Sequence, residues 1–166
     1  TLLRKSGCSS DVIRHCKAVA KLAVEMAEIC RKKKMDVDTD LVEIGSLLHD
    51  IGRSRTHAVD HAVTGAEIAR SLGLPSQVIS VIERHIGGGI TAEEAEDLGW
   101  PNKSYMPRTI EEKIVAYADK LIEGSRKVPI DRAVDDFERK LGTNHPAVDR
   151  LRQLHEEMSA ILGDPS

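Results

Sequence analysis

Two adjacent residues at the end of an apolar helical pattern, His49 and Asp50, stand in the run Leu47-Leu48-His49-Asp50-Ile51-Gly52. Burying an imidazole or a carboxylate without a partner is costly, so neither belongs in a core unless something offsets its desolvation. Together they offer one nitrogen and one oxygen ligand, a pairing that suits a metal ion used for hydrolysis. Two more polar residues interrupt apolar stripes at helical spacing: His15 aligns with Val12, Val19 and Leu22, and Asp119 with Val115 and Ile122. Taken singly, His15 reads as a hydrogen-bonded core histidine and Asp119 as half of a structural ion pair. One shared explanation covers all four. His15, His49, Asp50 and Asp119 can converge between three packed helices as a site of two imidazoles and two carboxylates, which suits Mn, Fe, Co, Ni or Zn better than Mg.

The elements that must position these residues read as helices. A first helix is expected over 10–33, with start signals at Ser9, Ser10 and Asp11 and a basic end at 31–34. A second covers 40–49, with Leu41, Ile44, Leu47, Leu48 and Ile51 facing inward and Gly52 stopping it. A third covers 60–71, and a fourth, opened by Pro75, reaches His85. Gly87-Gly88-Gly89 reads as a flexible break. Thr91 with Glu94, and Thr109 with Glu112, read as capping boxes for a short helix ending near Gly99 and a long one running through Ile122. Two further helices are expected at 131–141 and 146–162. No alternating strand pattern and no internal repeat is evident.

The 166 residues are most simply one domain, 1–166, with the chemistry in about 10–125 and helices in 129–163 completing the bundle or a homodimer surface. Trp100, Tyr105, Tyr117 and Phe137 are the whole aromatic complement, so the core must be aliphatic, which suits packed helices. A net charge of −3 weighs against long nucleic acid as a partner. Cys8, Cys16 and Cys30 are odd in number without CxxC spacing and read as reduced thiols of a cytoplasmic protein. No apolar run approaches the roughly 20 residues of a membrane span, and no signal-peptide pattern is seen.

The ordered set His15 … His49-Asp50 … Asp119, with Ile51-Gly52 completing an HDIG motif, resembles the HD superfamily of metal-dependent phosphohydrolases. His61, opening His-Ala-Val-Thr-Gly-Ala, and His85, in Glu83-Arg84-His85-Ile86-Gly87, extend the likeness to the subset with two extra histidines. Either histidine alone would read as a surface or helix-end residue, but five of the seven histidines fall between positions 15 and 85. The resemblance implies an all-α HD-type bundle with the site between helices. It implies two divalent ions, one held by His15, His49 and Asp119, the other by His61 and His85, with Asp50 bridging. It also implies hydrolysis of a nucleotide-like small-molecule phosphoester by a metal-activated water. The pattern is most similar to that of the symmetrical dinucleoside-tetraphosphate hydrolases. Two alternatives stay open: an RNA or cyclic-nucleotide phosphodiesterase, and a non-catalytic metal-binding or sensing module.

Around this set, Arg53 stands where many HD proteins carry lysine, and it can bind a substrate phosphate bidentately. His57 lies four residues before His61, so the two can share a helix face, with His57 a general acid or an exposed histidine. Lys120, Arg84, Arg108 and Arg126 are weaker phosphate-binding candidates, each reading as a solvated charge when taken alone. The segment 87–108 is the expected specificity element, with Trp100 or Tyr105 available to stack on a base, although Trp100 also suits packing on Pro101.

Overall fold

The structure, a computed structural model, describes residues 1–163. Helix α1 spans Leu2–Lys5, α2 Ser10–Lys32, α3 Thr39–Leu48, α4 His61–Ser71, α5 Ser76–Glu83, α6 Ala92–Asp97, α7 Ile110–Lys120, α8 Ile130–Leu141 and α9 Pro146–Leu162. A 3-10 turn, Ile51–Ser54, follows α3, and strands β1 (Ile122–Glu123) and β2 (Arg126–Lys127) form a small antiparallel hairpin after α7. The fold is all-α, as the periodicity requires. Among the described residues no helix is long and apolar enough to cross a membrane.

Local signals set most boundaries. Ser9 caps α2 by accepting the Val12 N–H at 3.2 Å, and Asp38 caps α3 through the Leu41 N–H at 3.1 Å. Both capping boxes form, Thr91 with Glu94 and Thr109 with Glu112. Helix α1 and the hairpin are additions to the expected elements. Four helical residues, and two residues per strand, are too short for any periodicity to register.

Three clusters of buried side chains make the core. The largest joins Val19, Leu22, Ala23 and Met26 of α2 to Ile114, Val115 and Ala118 of α7 and to Val148, Leu151 and Met158 of α9. The second joins Val12, Ile13 and Cys16 of α2 to Leu48, Ile51, Ile68 and Ile82. His15 therefore sits on α2 where these two clusters adjoin. The third lies under the 87–108 segment and contains Ile86, Ile90, Ala95, Trp100 and Tyr105.

Three expectations are corrected. Ile44 does not face inward; it is 45% exposed, while Val42, Gly45 and Ser46 are buried. The cause is α5: a Cβ at Gly45 would stand 2.7 Å from a Val81 methyl, so α3 turns its glycine face to that helix. Gly52 does not stop α3, which already ends at Leu48. A Cβ there would lie 1.8 Å from the His61 carbonyl oxygen and 2.7 Å from the Gly65 nitrogen, so the absence of a side chain lets the 3-10 turn lie directly on the first turn of α4. The Gly87-Gly88-Gly89 run is a packing joint. Added Cβ atoms would meet the Phe137 ring of α8 at 2.4 Å, the Arg150 backbone of α9 at 2.7 Å and the Met106 sulfur at 2.6 Å respectively.

Candidate metal centre

Five helices deliver six side chains to one point. His15 projects from the second turn of α2, His49 follows the last residue of α3, and Asp50 leads into the 3-10 turn. His61 opens α4, His85 follows the end of α5, and Asp119 lies in the last turn of α7. His49, Asp50, His61 and His85 are buried; His15 and Asp119 are partly exposed.

The side-chain atoms that face one another divide around Asp50. Its Oδ2 lies 3.6 Å from His15 Nε2 and 3.5 Å from His49 Nε2. Its Oδ1 lies 3.2 Å from His61 Nε2 and 3.3 Å from His85 Nε2. Asp119 Oδ1 joins the first group, 2.9 Å from His15 Nε2 and 3.2 Å from His49 Nε2. His61 and His85 bring their Nε2 atoms within 3.1 Å of each other.

Each imidazole is oriented from behind. His15 Nδ1 donates to the Gly124 carbonyl at 2.7 Å, His49 Nδ1 to Ser46 at 2.6 Å, His61 Nδ1 to Ala58 at 2.8 Å and His85 Nδ1 to Ile82 at 2.6 Å. A carbonyl only accepts, so each Nδ1 carries a proton and each Nε2 is the ring nitrogen turned inward. This is how protein scaffolds hold metal-ligating histidines. The hairpin after α7, unexpected from the sequence, has a role here, since its turn supplies the carbonyl of Gly124.

Charge in the centre follows the same division. Burial pushes the Asp50 carboxyl up, but His49, His61 and His85 outweigh it and hold it well below the usual carboxylate range. Burial likewise pushes Asp119 up, and Lys120 and His49, with help from His15, hold it well below. Burial disfavours charge on His49, yet Asp50 and Asp119 raise it well above an ordinary histidine. At His85 burial prevails and the pKa falls to about 4. The centre thus holds two ionised carboxylates and a potential that calls for positive charge. The lone pairs of His61, His85 and Asp50 Oδ1 repel one another unless a cation sits among them. The donor set fits divalent metal, and its clustered groups of three are close enough to hold one.

The other expected residues divide. Arg53 reaches the centre, with Nε 3.2 Å from Asp50 Oδ2 and Nη1 donating to the His57 carbonyl at 3.3 Å. His57 is exposed on the wall of a cleft that opens from His61, His85 and Asp119. It shares no helix face with His61, because α4 begins at His61 and His57 lies in the preceding loop. Lys120 is not a solvated charge: its ammonium donates to Asp119 Oδ2 at 2.7 Å and to the His85 carbonyl at 2.8 Å, with only 10% of the side chain exposed. Arg84 is committed to Glu112, at 2.9 and 3.1 Å. Trp100 is buried edge-on against Tyr105, whose hydroxyl donates to the Pro101 carbonyl, so neither ring is open to a base. Arg108 and Arg126 are exposed, and neither lines the cleft. Sequence reasoning expected a helix at 131–141 but gave it no part in the site, whereas Arg132, Phe137 and Arg139 of this helix, α8, line the cleft. The only hint was its apolar stripe Ile130, Val134, Phe137 and Leu141, which reads equally well as plain core.

A bundle that gathers histidines and aspartates of this order around one centre defines a class. The HD domain family model matches residues 12–124, and the chain belongs to the HD domain family. Among its relatives is an uncharacterized protein of Methanocaldococcus jannaschii, 51% identical over 158 residues, covering 95% of this chain and 94% of that one. The tRNA (cytidine(56)-2'-O)-methyltransferase of Picrophilus torridus is 43% identical over 162 residues, covering 98% of this chain and 46% of that protein, so the chain spans about half of this relative. Ribonuclease Y of Acidothermus cellulolyticus is 31% identical over 161 residues, covering 96% of this chain and 26% of the enzyme. Among solved structures, the HD domain of L. monocytogenes phosphodiesterase PgpH in complex with cyclic-di-AMP superposes with a TM-score of 0.58 at 18% identity, covering 100% of this chain and 99% of that one. That likeness is one of fold.

Proposed function

We propose that the chain hydrolyses a phosphoester of a nucleotide-like substrate at a centre of two divalent ions. In this reading His15, His49 and Asp119 hold one ion, His61 and His85 hold the other, and Asp50 bridges them. The observation that carries it is the division of Asp50, with Oδ2 directed to one pair of imidazoles and Oδ1 to the other. Bound divalent ions supply Lewis acidity and an acidified water for attack on phosphorus.

The chain's own residues do the rest. The four backbone carbonyls hold the imidazoles in the ligating tautomer. Arg53, tied to Asp50, has further N–H groups for a phosphate oxygen. His57, which lines the cleft, serves in this reading as the general acid for the leaving oxygen. Val59, Leu98 and Leu141 are large apolar side chains left exposed along the same cleft, a surface suited to the base or sugar of a nucleotide.

A second reading, an RNA-directed phosphodiesterase, has its own support. The cleft measures about 1410 Å³, more than the roughly 300–1000 Å³ of common small-ligand sites. Two of the relatives carry RNA in their names or activities, the tRNA methyltransferase and ribonuclease Y. A non-catalytic metal-binding module is the less favoured reading, because all six side chains are present and oriented.

A hydrolysis screen on Mn- and Fe-loaded protein separates these readings, using mononucleotides, dinucleoside polyphosphates, cyclic dinucleotides and short RNA. Turnover confined to the small phosphoesters is expected; preference for RNA selects the second reading. With both metals demonstrably bound, failure to cleave any phosphoester sinks the enzymatic reading. Metal analysis should return two ions per chain, and one in His61→Ala or His85→Ala.

A further inference from the structure

Lys120 touches both halves of the centre. Its ammonium holds Asp119 Oδ2, the oxygen turned away from the imidazoles, while Oδ1 of the same carboxylate faces His15 and His49. The same ammonium holds the backbone carbonyl of His85, whose ring belongs to the other half. Carboxylate rotation and the end of α5 are thus tied through one cation that is almost wholly enclosed. The end of α5 has two more anchors: Arg84 pairs with Glu112 of α7, and Glu83 pairs with Arg70 at 3.2 Å and Lys103 at 3.0 Å. Of these ties, the one through Lys120 alone involves a member of each half.

We propose that Lys120 is a positioning residue that couples the two halves of the metal centre, setting the angle of Asp119 and the placement of His85, and that it does not bind the substrate phosphate. This rests on the binuclear reading above. Coulomb's law provides a test of sign. A cation beside a metal site repels the metal, so if Lys120 acted only through its charge, removing it would tighten metal binding. If it acts by holding Asp119 and His85, removing it weakens binding, by about 10–100-fold for an outer partner of a ligand.

The experiment is calorimetric titration of the metal-free full chain with Mn2+, without substrate, for wild type, Lys120→Met and Lys120→Arg. Folding of each is verified by thermal unfolding, and KM and kcat are measured at saturating metal. The expected result is a loss of roughly 10–100-fold in Mn2+ affinity for Lys120→Met, with kcat lowered, KM near wild type, and partial recovery in Lys120→Arg. Unchanged or tightened Mn2+ binding overturns the proposal, as does a raised KM with metal binding intact, which would make Lys120 a phosphate ligand. If Lys120→Met does not fold, Lys120→Arg decides. It keeps the charge but not the geometry, so wild-type affinity and kcat in it overturn the proposal. Failure of wild type to bind two Mn2+ would instead refute the binuclear reading itself.

Discussion

At the scale of single residues, the centre distinguishes His49 from Asp50 although they are neighbours in the chain. His49 belongs to one half, and Asp50 faces both. Asp50→Ala is therefore expected to lose more metal than any other single ligand change, falling below one ion per chain where His61→Ala and His85→Ala each retain one. Metal analysis after gel filtration checks this, and Asp50→Ala protein still carrying one tightly bound ion would refute the bridge. Four of the six residues, His15, His49, Asp50 and Asp119, were legible in the sequence because a polar residue in an apolar helical pattern is costly to bury and so stands out, whereas His61 and His85 were legible only through the HD resemblance. Lys120 was visible as a residue but not in its role. Its neighbours Asp119 and His85 lie 1 and 35 positions away, and no spacing rule links a side chain to a distant backbone carbonyl.

At the scale of elements, glycines place the ligands. Gly52 lets the turn after His49-Asp50 rest on the first turn of α4, which brings His61 to Asp50. The obstacle to a side chain is backbone, which cannot swing aside. Gly52→Ala is expected to destabilise by about 1–3 kcal/mol and to reduce bound metal to one ion per chain. Urea unfolding and metal analysis measure the two effects, and an alanine variant with full stability and two ions would show that the contact is dispensable. Helices α6 and α9 are joined through Arg150, which pairs with Glu94 and also donates to the Gly89 carbonyl at 3.1 Å. Burial raises Glu94, but Arg150 and the Thr91 N–H outweigh it, so its pKa is lowered in the fold. A lowered carboxyl pKa stabilises above the unfolded value of 4.5, and that contribution is lost as pH falls through the folded value. Glu94→Gln should therefore cost under about 1 kcal/mol near pH 7, since solvent reaches the pair, and the cost should shrink below pH 4.5. Unfolding of both proteins between pH 3 and 7 checks the sign; a difference that grows in acid would contradict it.

At the scale of the whole molecule, α9, which lies beyond the family match, completes the core. Val148, Leu151, Leu154 and Met158 of α9 are buried in the largest cluster against α2 and α7, which carry His15 and Asp119. A chain ending at residue 128 would expose that apolar face, at a cost of roughly 1.5–3 kcal/mol per large side chain, comparable in sum to the stability of a whole domain. It is expected to lack a cooperative thermal transition, and a folded, metal-binding fragment 1–128 would overturn this. Local periodicity and capping make the helices and most of their bounds legible in the sequence, and the cost of burying polar groups marks His15, His49, Asp50 and Asp119. His61 and His85 join them in the sequence only through the HD resemblance. The tertiary structure alone decides the rest: the tie through Lys120, the enclosure of Trp100, the outward turn of Ile44, and the place of α8 on the cleft. Each depends on which distant faces meet, and contacts between surfaces far apart in the chain leave no periodic trace in it.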